Sequence, residues 1–458
     1  MLPAETSPQR TASMDAPPQR RSRWWWFGMV VFVLALLVLG AFAALRVGLS
    51  RGVKVRVAEI SAAGHPTTPA EVENWHPYPV GANAADEYAK AFSLVSKPDA
   101  GLKATLPLLG DAKFPADPAD PLTAVTAKAI ASHVQANRGG LEGLHAAAKI
   151  GDARWPVDWT QGFSVKLGHL QYIRDAARLL AVEAAHHGEA GNAEAAQRSI
   201  LSGMAVGRSL ETEPSIISQL VRLAVVNITV DALERLLNRT DVAQEELGRL
   251  QAALADAEAP EAMRRAIVGE RALGSSLFGD PGLVAAMGGS GAADEGMGLY
   301  RLVGLMDYDH LLYLGLMKQY VEGAGKPFVQ RPAAYRDAEG SVKDVGAFGG
   351  VVTRMIVPGL GHAAVREGKT IARLRAAHVA MASERHRLEK GQWPSDTKKL
   401  IPEFLKKVPA DPFTGKALGF KQTKGRLIVY SVGEDKIDGG GTGDDIVFRL
   451  SRPIQHEK

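Results

Sequence analysis

The chain has 458 residues, 46% of them apolar and 23% charged, the balance of a globular protein with room for two or three folding units. It contains no cysteine, so disulfides, thiolate metal sites and cysteine nucleophiles are excluded together. The net charge of +4 is scattered and aromatics are only 6%, so no basic and aromatic platform for nucleic acid stands out.

Residues 1–23 are rich in proline and arginine, lack an apolar period, and read as a disordered basic tail on the cytoplasmic side. From Trp24 to Leu45 no charge interrupts 22 residues. At 1.5 Å per residue this is about 33 Å of helix, enough to span a bilayer. The Trp24-Trp25-Trp26 cluster suits a membrane interface. Arg20, Arg21 and Arg23 precede the run, while Arg46, Arg51, Lys54 and Arg56 follow it. A short basic N-tail favours the N-terminus inside, with roughly 410 residues on the far side of the inner membrane. Ala41-Phe42-Ala43 has the small-x-small form of a signal-peptide cleavage site, but the run is longer than a usual signal core and favours an uncleaved anchor.

Residues 46–122 read as a linker with a short helix from Thr68 to Glu73, then an extended aromatic strap, Trp75-His76-Pro77-Tyr78-Pro79, with His76 packed rather than ligating. Asn83 to Leu94 has helical spacing, and residues 97–122 carry enough proline to be mostly loop.

Residues 123–369 are expected to form a body of antiparallel helical hairpins. Ala124 to Lys149 predicts a helix pair broken at Gly139-Gly140, followed by a loop holding Trp155 to Trp159. Leu167, Leu170, Ile173, Ala177, Leu180 and Ala184, at steps of three and four, predict a helix with one buried stripe. Asn192 caps the next, and Ile216 to Leu237 is apolar around most of its circumference and should be central. Asp241 with Gln244 predicts a capping box for a helix through Leu254. A glycine-rich insertion falls near 288–298, helical spacing returns from Leu302 to Val321, and a polar stretch without clear pattern fills 323–348. The last long helix is expected from about Thr370 to Glu389, broken by Gly391-Gln392-Trp393-Pro394.

Chemical motifs are sparse. Residues 363–370 end in Gly368-Lys369-Thr370 and fit a loose phosphate-binding loop, but the intervening residues are helix formers and no strand precedes them. A nucleotide site is therefore a distant reading, and no nucleotide or nucleic-acid partner is expected. His186-His187 point about 100° apart on a helix and suit no shared metal. Asp307-Tyr308-Asp309-His310 is a candidate for holding an ion or a proton, although a solvated helix face explains it more cheaply.

The most chemically specific stretch is near the C-terminus. A β-rich run from Arg426 to Val432 enters a loop containing Asp435, Asp438, the glycines of 439–443, and Asp444-Asp445, and a second run leaves it. Upstream come Gly391-Gln392-Trp393-Pro394, Leu400-Ile401-Pro402 and Val408-Pro409-Ala410-Asp411-Pro412-Phe413. In this order the motifs resemble the C-terminal half of the major pseudopilin of type II secretion, over roughly 80 residues, in a layout similar to large membrane-anchored bacterial proteins. The resemblance implies a small α+β module over 370–458, a calcium-binding loop in which Asp435 and Asp444 or Asp445 are ligands and Val432 a carbonyl donor, and a link to a secretion-like assembly; Asp438 is an extra carboxylate that this chain adds to the candidate metal ligands. The chain departs from the family in lacking its processing site at the membrane helix, and in placing Lys436 where a glycine follows the first aspartate.

The sequence thus predicts a mainly α, single-pass inner-membrane protein: an N-terminal transmembrane helix, a helical-hairpin body outside the cytoplasm, and a pseudopilin-like tail with a β-hairpin. The expected function is that of a non-enzymatic scaffold or interaction protein with an envelope partner. The alternative is an exported hydrolase whose site gathers Trp155 to Trp159 with Asp307 to His310, recognisable as one deep polar pocket.

Overall fold

The computed structural model describes residues 23–279, 298–343, 350–357, 360–423 and 425–452. The expected basic tail up to residue 22, and the glycine-rich insertion except for its last residue, lie outside the described residues. The described chain is mainly helical, with a long apolar helix at the N-terminus and a small antiparallel sheet near the C-terminus.

Helix α1 runs over Arg23–Ala62, 40 residues or about 60 Å, because no proline interrupts it before the left-handed Gly64. Its first half is apolar all round and long enough to cross a membrane, with none of its most apolar window buried. Beyond Leu45 the same helix continues with charges and acquires a buried face. There Arg46 pairs with Asp307 at 3.2 Å, Gly52 backs onto Leu311, and Ile60 enters a core cluster.

Thr68 caps α2 (Pro69–Trp75) with Pro69 at its first turn. Helix α3 (Ala84–Ser93) leads to the single turn α4 (Ala100–Lys103), then to α5 (Ala124–Ala136) and α6 (Arg138–Ala147). The break between α5 and α6 falls at Asn137 rather than at the glycine pair. Asn137 is buried and accepts a hydrogen bond from Ser96 N at 2.7 Å. Gly140 and Gly143 instead lie inside α6, where α3 packs: a Cβ on Gly143 would come within 2.9 Å of the Ala91 Cβ. They mark close approach, not a chain break.

Helices α7 (His169–Glu189), α8 (Ala193–Arg208), α9 (Ile216–Arg239) and α10 (Gln244–Ala257) follow with short connections. Glu246 reaches back to Ala243 N at 3.3 Å to close the start of α10, in place of the expected Asp241 and Gln244 pair. Helix α9 is also apolar enough to cross a membrane, but 56% of its apolar window is buried, as suits a central core helix. Next come α11 (Ala262–Ser275), α12 (Leu305–Ala324), α13 (Arg331–Lys343) and α14 (Val351–Ile356). Helix α13 occupies much of the stretch that lacked a clear pattern. Tertiary contacts hold it there: Arg331 pairs with buried Glu367 at 2.7 Å, and Tyr335 meets Tyr320 edge to face at 5.1 Å.

Helix α15 (Leu360–Lys390) starts ten residues earlier than expected and runs through the centre of the fold. Its buried residues between Ile371 and Ala382 join one cluster with α8, α9, α10 and the sheet. The sheet is a meander of β1 (Gly419–Thr423), β2 (Arg426–Ser431) and β3 (Ile446–Ser451). Leu427 opposite Leu450, and Val429 opposite Phe448, form its fully buried inner face. An open strand edge leaves unpaired backbone groups, and α9 satisfies some of those of β3. Glu234 accepts from Arg449 N at 2.8 Å, while Asn238 donates to Arg449 O at 2.8 Å and accepts from Ser451 N at 2.6 Å.

One buried carboxylate, Glu384 on α15, ties the end of the chain to this core. It accepts from Arg387 at 2.8 Å, from Trp393 Nε1 at 2.9 Å and from Arg452 Nε at 3.0 Å. Burial pushes its pKa up, but these donors and the Arg452 charge outweigh burial and leave it below the ordinary glutamate value. The sign follows: the contribution is fully present above the unfolded pKa and is lost as pH falls through the folded one. Glu384→Gln is expected to cost about 3 kcal/mol or more near neutral pH, by stranding buried donors, and to shrink the acid-side loss of stability. Denaturant melts of both proteins across the acidic range check this, and parallel pH profiles would contradict it.

Candidate functional site

The tail loop is where the sequence placed its candidate ligands. It folds over the outer face of β2 and is held by its own backbone. Asp438 accepts from Tyr430 Oη and Gly440 N, both at 2.9 Å, and Asp445 accepts from Gly441 N at 2.7 Å and Gly439 N at 3.4 Å. Asp435 accepts from Ile437 N at 3.1 Å, and Asp444 is exposed. Val432 uses its N–H on the buried Asp411, which also accepts from Phe413 N and Thr414 N. Lys436 takes φ 61°, a left-handed conformation that glycine adopts at less cost. Among the described residues, no group of three carboxylate or histidine side chains is arranged to hold a metal ion. The loop is a self-bonded turn closing the sheet.

The residues of the alternative hydrolytic site serve separate packing tasks. Trp155 stacks on His169 at 5.2 Å and on Phe92 at 5.7 Å, and Trp159 is fully buried against His76. His76 is thus packed in the strap, its pKa lowered to about 3 by burial and by the charges of Arg154 and Arg265. The Asp307 to His310 segment is not a uniformly solvated face. Asp307 pairs with Arg46, and fully buried Asp309 accepts from Val352 N at 2.7 Å and Thr353 N at 3.2 Å, anchoring the start of α14. His310 stacks on Phe278 at 4.5 Å, and burial lowers its pKa to about 4. None of the cavities described below is lined by both groups. Residues 363–370 are helical within α15, so their backbone N–H groups are committed to the helix rather than free to wrap a phosphate.

A constellation that sequence spacing did not reveal lies between α6, α7 and α8. His145 Nδ1 is 2.8 Å from Ser202 Oγ, His145 Nε2 is 2.9 Å from Glu183, and Ser199 donates to the same carboxylate at 2.7 Å. The order hydroxyl, imidazole, carboxylate is that of a hydrolase triad, but all four side chains are buried and none lines a described cavity. Burial raises the Glu183 pKa, yet the hydrogen bonds and charge of His145, with help from Ser199, bring the net value below the ordinary one. A nucleophile needs an approach path for a carbonyl, so this is a polar tie between helices. Only Ser199 and Ser202, three apart on one helix face, hinted at it in the sequence.

The largest described cavity, of about 620 Å³, has a mixed apolar and charged lining. Phe163, Val165, Leu220, Met317, Ile356 and Leu360 supply apolar walls from five different segments. At the mouth, His362 and Arg366 are exposed and four residues apart, hence on one face of α15. Glu270 on α11 also lines the cavity, half-buried by surface area and surrounded by protein. It accepts from Ile216 N, the first N–H of α9, at 3.2 Å. Burial raises its pKa, opposed in part by that hydrogen bond. Beside it Tyr313 donates to Glu270 O at 2.9 Å, and Gly274 leaves room for the Tyr313 ring: an added Cβ would be 2.2 Å from Oη. A second cavity of about 470 Å³ beside Phe92 and Tyr172, and a third of about 510 Å³ against Trp155, lie on the α3 and α7 side. The sequence could not show the main cavity, because its walls converge from residues some 200 positions apart, from Phe163 to Arg366.

No protein-family profile, curated protein or solved structure matches this chain.

With its folded pKa above the unfolded value, Glu270 removes stability as pH rises from the ordinary glutamate range through the folded pKa. Glu270→Gln is expected to raise the melting temperature at about pH 8 and to leave it nearly unchanged at about pH 4. An equal gain at both pH values would contradict the assignment.

Proposed function

We propose that this is a membrane-anchored, non-enzymatic binding and scaffold protein, held in the inner membrane by residues 24–45 with its body outside the cytoplasm. Its main cavity takes a single-chain amphiphile with an anionic head. The observation that carries the reading is the lining of the 620 Å³ cavity, whose apolar walls suit a hydrocarbon chain and whose exposed Arg366 would pair with a carboxylate or phosphate, with His362 beside it as a hydrogen-bond partner and Glu270 as the one acidic lining residue. The anchor supports it, since α1 brings the body beside a reservoir of such molecules. The pseudopilin-like order of tail motifs supports an envelope partner, including one of a secretion-like assembly.

The reading is tested by purifying the full chain from membranes and measuring co-extracted lipid by mass spectrometry. A single-chain species retained by the unchanged protein is expected to fall about tenfold in Leu220→Trp, which projects an indole into the cavity and narrows it, at an unchanged melting temperature. Equal retention in both proteins, or none in either, removes the proposed ligand.

The proposal includes calcium at the tail loop, where Asp435, Asp438 and Asp445 would exchange backbone hydrogen bonds for the ion and exposed Asp444 would join them. Added calcium is then expected to raise the melting temperature, and Asp444→Ala with Asp445→Ala to abolish the shift. An unmutated protein indifferent to both calcium and chelator takes calcium out of the proposal.

A further inference from the structure

We infer that a second part of the chain rests in the membrane beside α1: the turn at residues 298–303 and the outer face of α14 form an apolar edge seated in the interfacial layer of the bilayer. The inference rests on the reading that α1 crosses that bilayer.

Four large apolar side chains carry it. Leu299 is 62% exposed, Leu302 67%, Val351 37% and Met355 40%. They belong to one edge, because a single carboxylate clamps both segments. Fully buried Asp309 accepts from Tyr300 Oη at 3.2 Å and from Val352 N at 2.7 Å, so the 298–303 turn and the start of α14 are held side by side. Burying a carboxyl group to hold apolar side chains out in water would be a costly arrangement without something to cover them.

The position of the edge along α1 identifies the cover. Gly304, the residue after the turn, packs directly on α1: an added Cβ would be 2.9 Å from Arg46 Cδ and 3.6 Å from Leu49 Cδ1. The Arg46 to Asp307 ion pair fixes the same level. The charge-free run of α1 ends at Leu45, so the edge meets α1 within about 6 Å of that point along the helix axis. The interfacial layer on each side of the hydrocarbon core is of the same thickness, about 5–7 Å. Close in sequence to Gly304 stand exposed Arg301 and exposed Tyr308, types that place an apolar body in the interface and a polar end in water. A soluble partner would have to share this space with the headgroups around α1.

The absence of cysteine allows a direct test in the full chain. Single cysteines are placed at Leu302, Met355, Leu37 in the charge-free run, and Ile437 on the tail loop, which is 68% exposed. Each is spin-labelled and the protein reconstituted in vesicles of phosphatidylethanolamine and phosphatidylglycerol. Collision with oxygen, which concentrates in lipid, is compared with collision with a water-soluble nickel chelate. The expected result is an oxygen-to-nickel ratio at positions 302 and 355 shifted from the Ile437 value toward the Leu37 value. If the Leu37 label reports lipid while labels at 302 and 355 match Ile437, the inference is overturned and the anchor stands. If labels at 302 and 355 are shielded from both reagents, protein covers the edge and the inference is overturned as well. A Leu37 label that matches Ile437 overturns the anchor reading itself, and this inference with it.

Discussion

A helix buried on all sides must reconcile close packing with the cost of its own polar groups, and α15 is where this fold meets that demand. Between Ile371 and Ala382 it presents Ala372, Ala376, Ala377, Ala380 and Ala382, all essentially inaccessible to solvent. Small side chains let α9, α10 and the sheet approach its backbone closely, and Leu374, Val379 and Met381 fill the remaining space. Alanine also has the best intrinsic helix propensity, so this segment forms its helix at little conformational cost.

The buried and half-buried charges of α15 sit where a partner waits. Arg373 meets Glu234 at 2.6 Å, Arg375 meets Glu258 at 2.8 Å, and Glu367 meets Arg331 at 2.7 Å. Glu234 links two such tasks, since the carboxylate that receives Arg373 also receives the backbone of β3. Charge pairing and strand-edge protection thus use the same side chain. Breaking a buried pair leaves an uncompensated charge, so these contacts restrict which helix can lie against which, whatever their net contribution to stability.

How much of this was legible from sequence differs by element, and the differences have physical causes. The stripe expected from Leu167 to Ala184 became α7 from Leu170 onward, because one-sided burial writes its period into the chain; Leu167 lies just before the helix. The apolar run of α1 was plain, but its extension to Ala62 was not, since residues 46–62 mix charge with apolar residues that acquire meaning only against α12. Helix α13 was invisible because contacts with Glu367 and Tyr320 stabilise it, not its own pattern. The tail hairpin was readable from its β-branched runs, whereas β1, with Lys421, Gln422 and Thr423 exposed, was not. At the candidate sites the limit was sharper. The aspartate-rich loop announced itself by composition, yet Asp435, Asp438 and Asp445 are spent on neighbouring N–H and hydroxyl groups. The main cavity and the His145 cluster are assembled by tertiary structure and leave no local signature.

The unbroken passage of α1 from its apolar half into the packed body has a mechanical meaning. Were residues 46–62 a flexible tether, their ends would wander over a root-mean-square span of roughly 23 Å in any direction, as a 17-residue coil does. As helix they form a strut of about 26 Å with a single direction, clamped by Arg46 and Asp307 at one end and by Ile60 at the other. Tilt or rotation of the apolar half is then conveyed to the body as a rigid lever conveys torque. On the proposed reading of α1 as the anchor, the attitude of one helix sets that of the body.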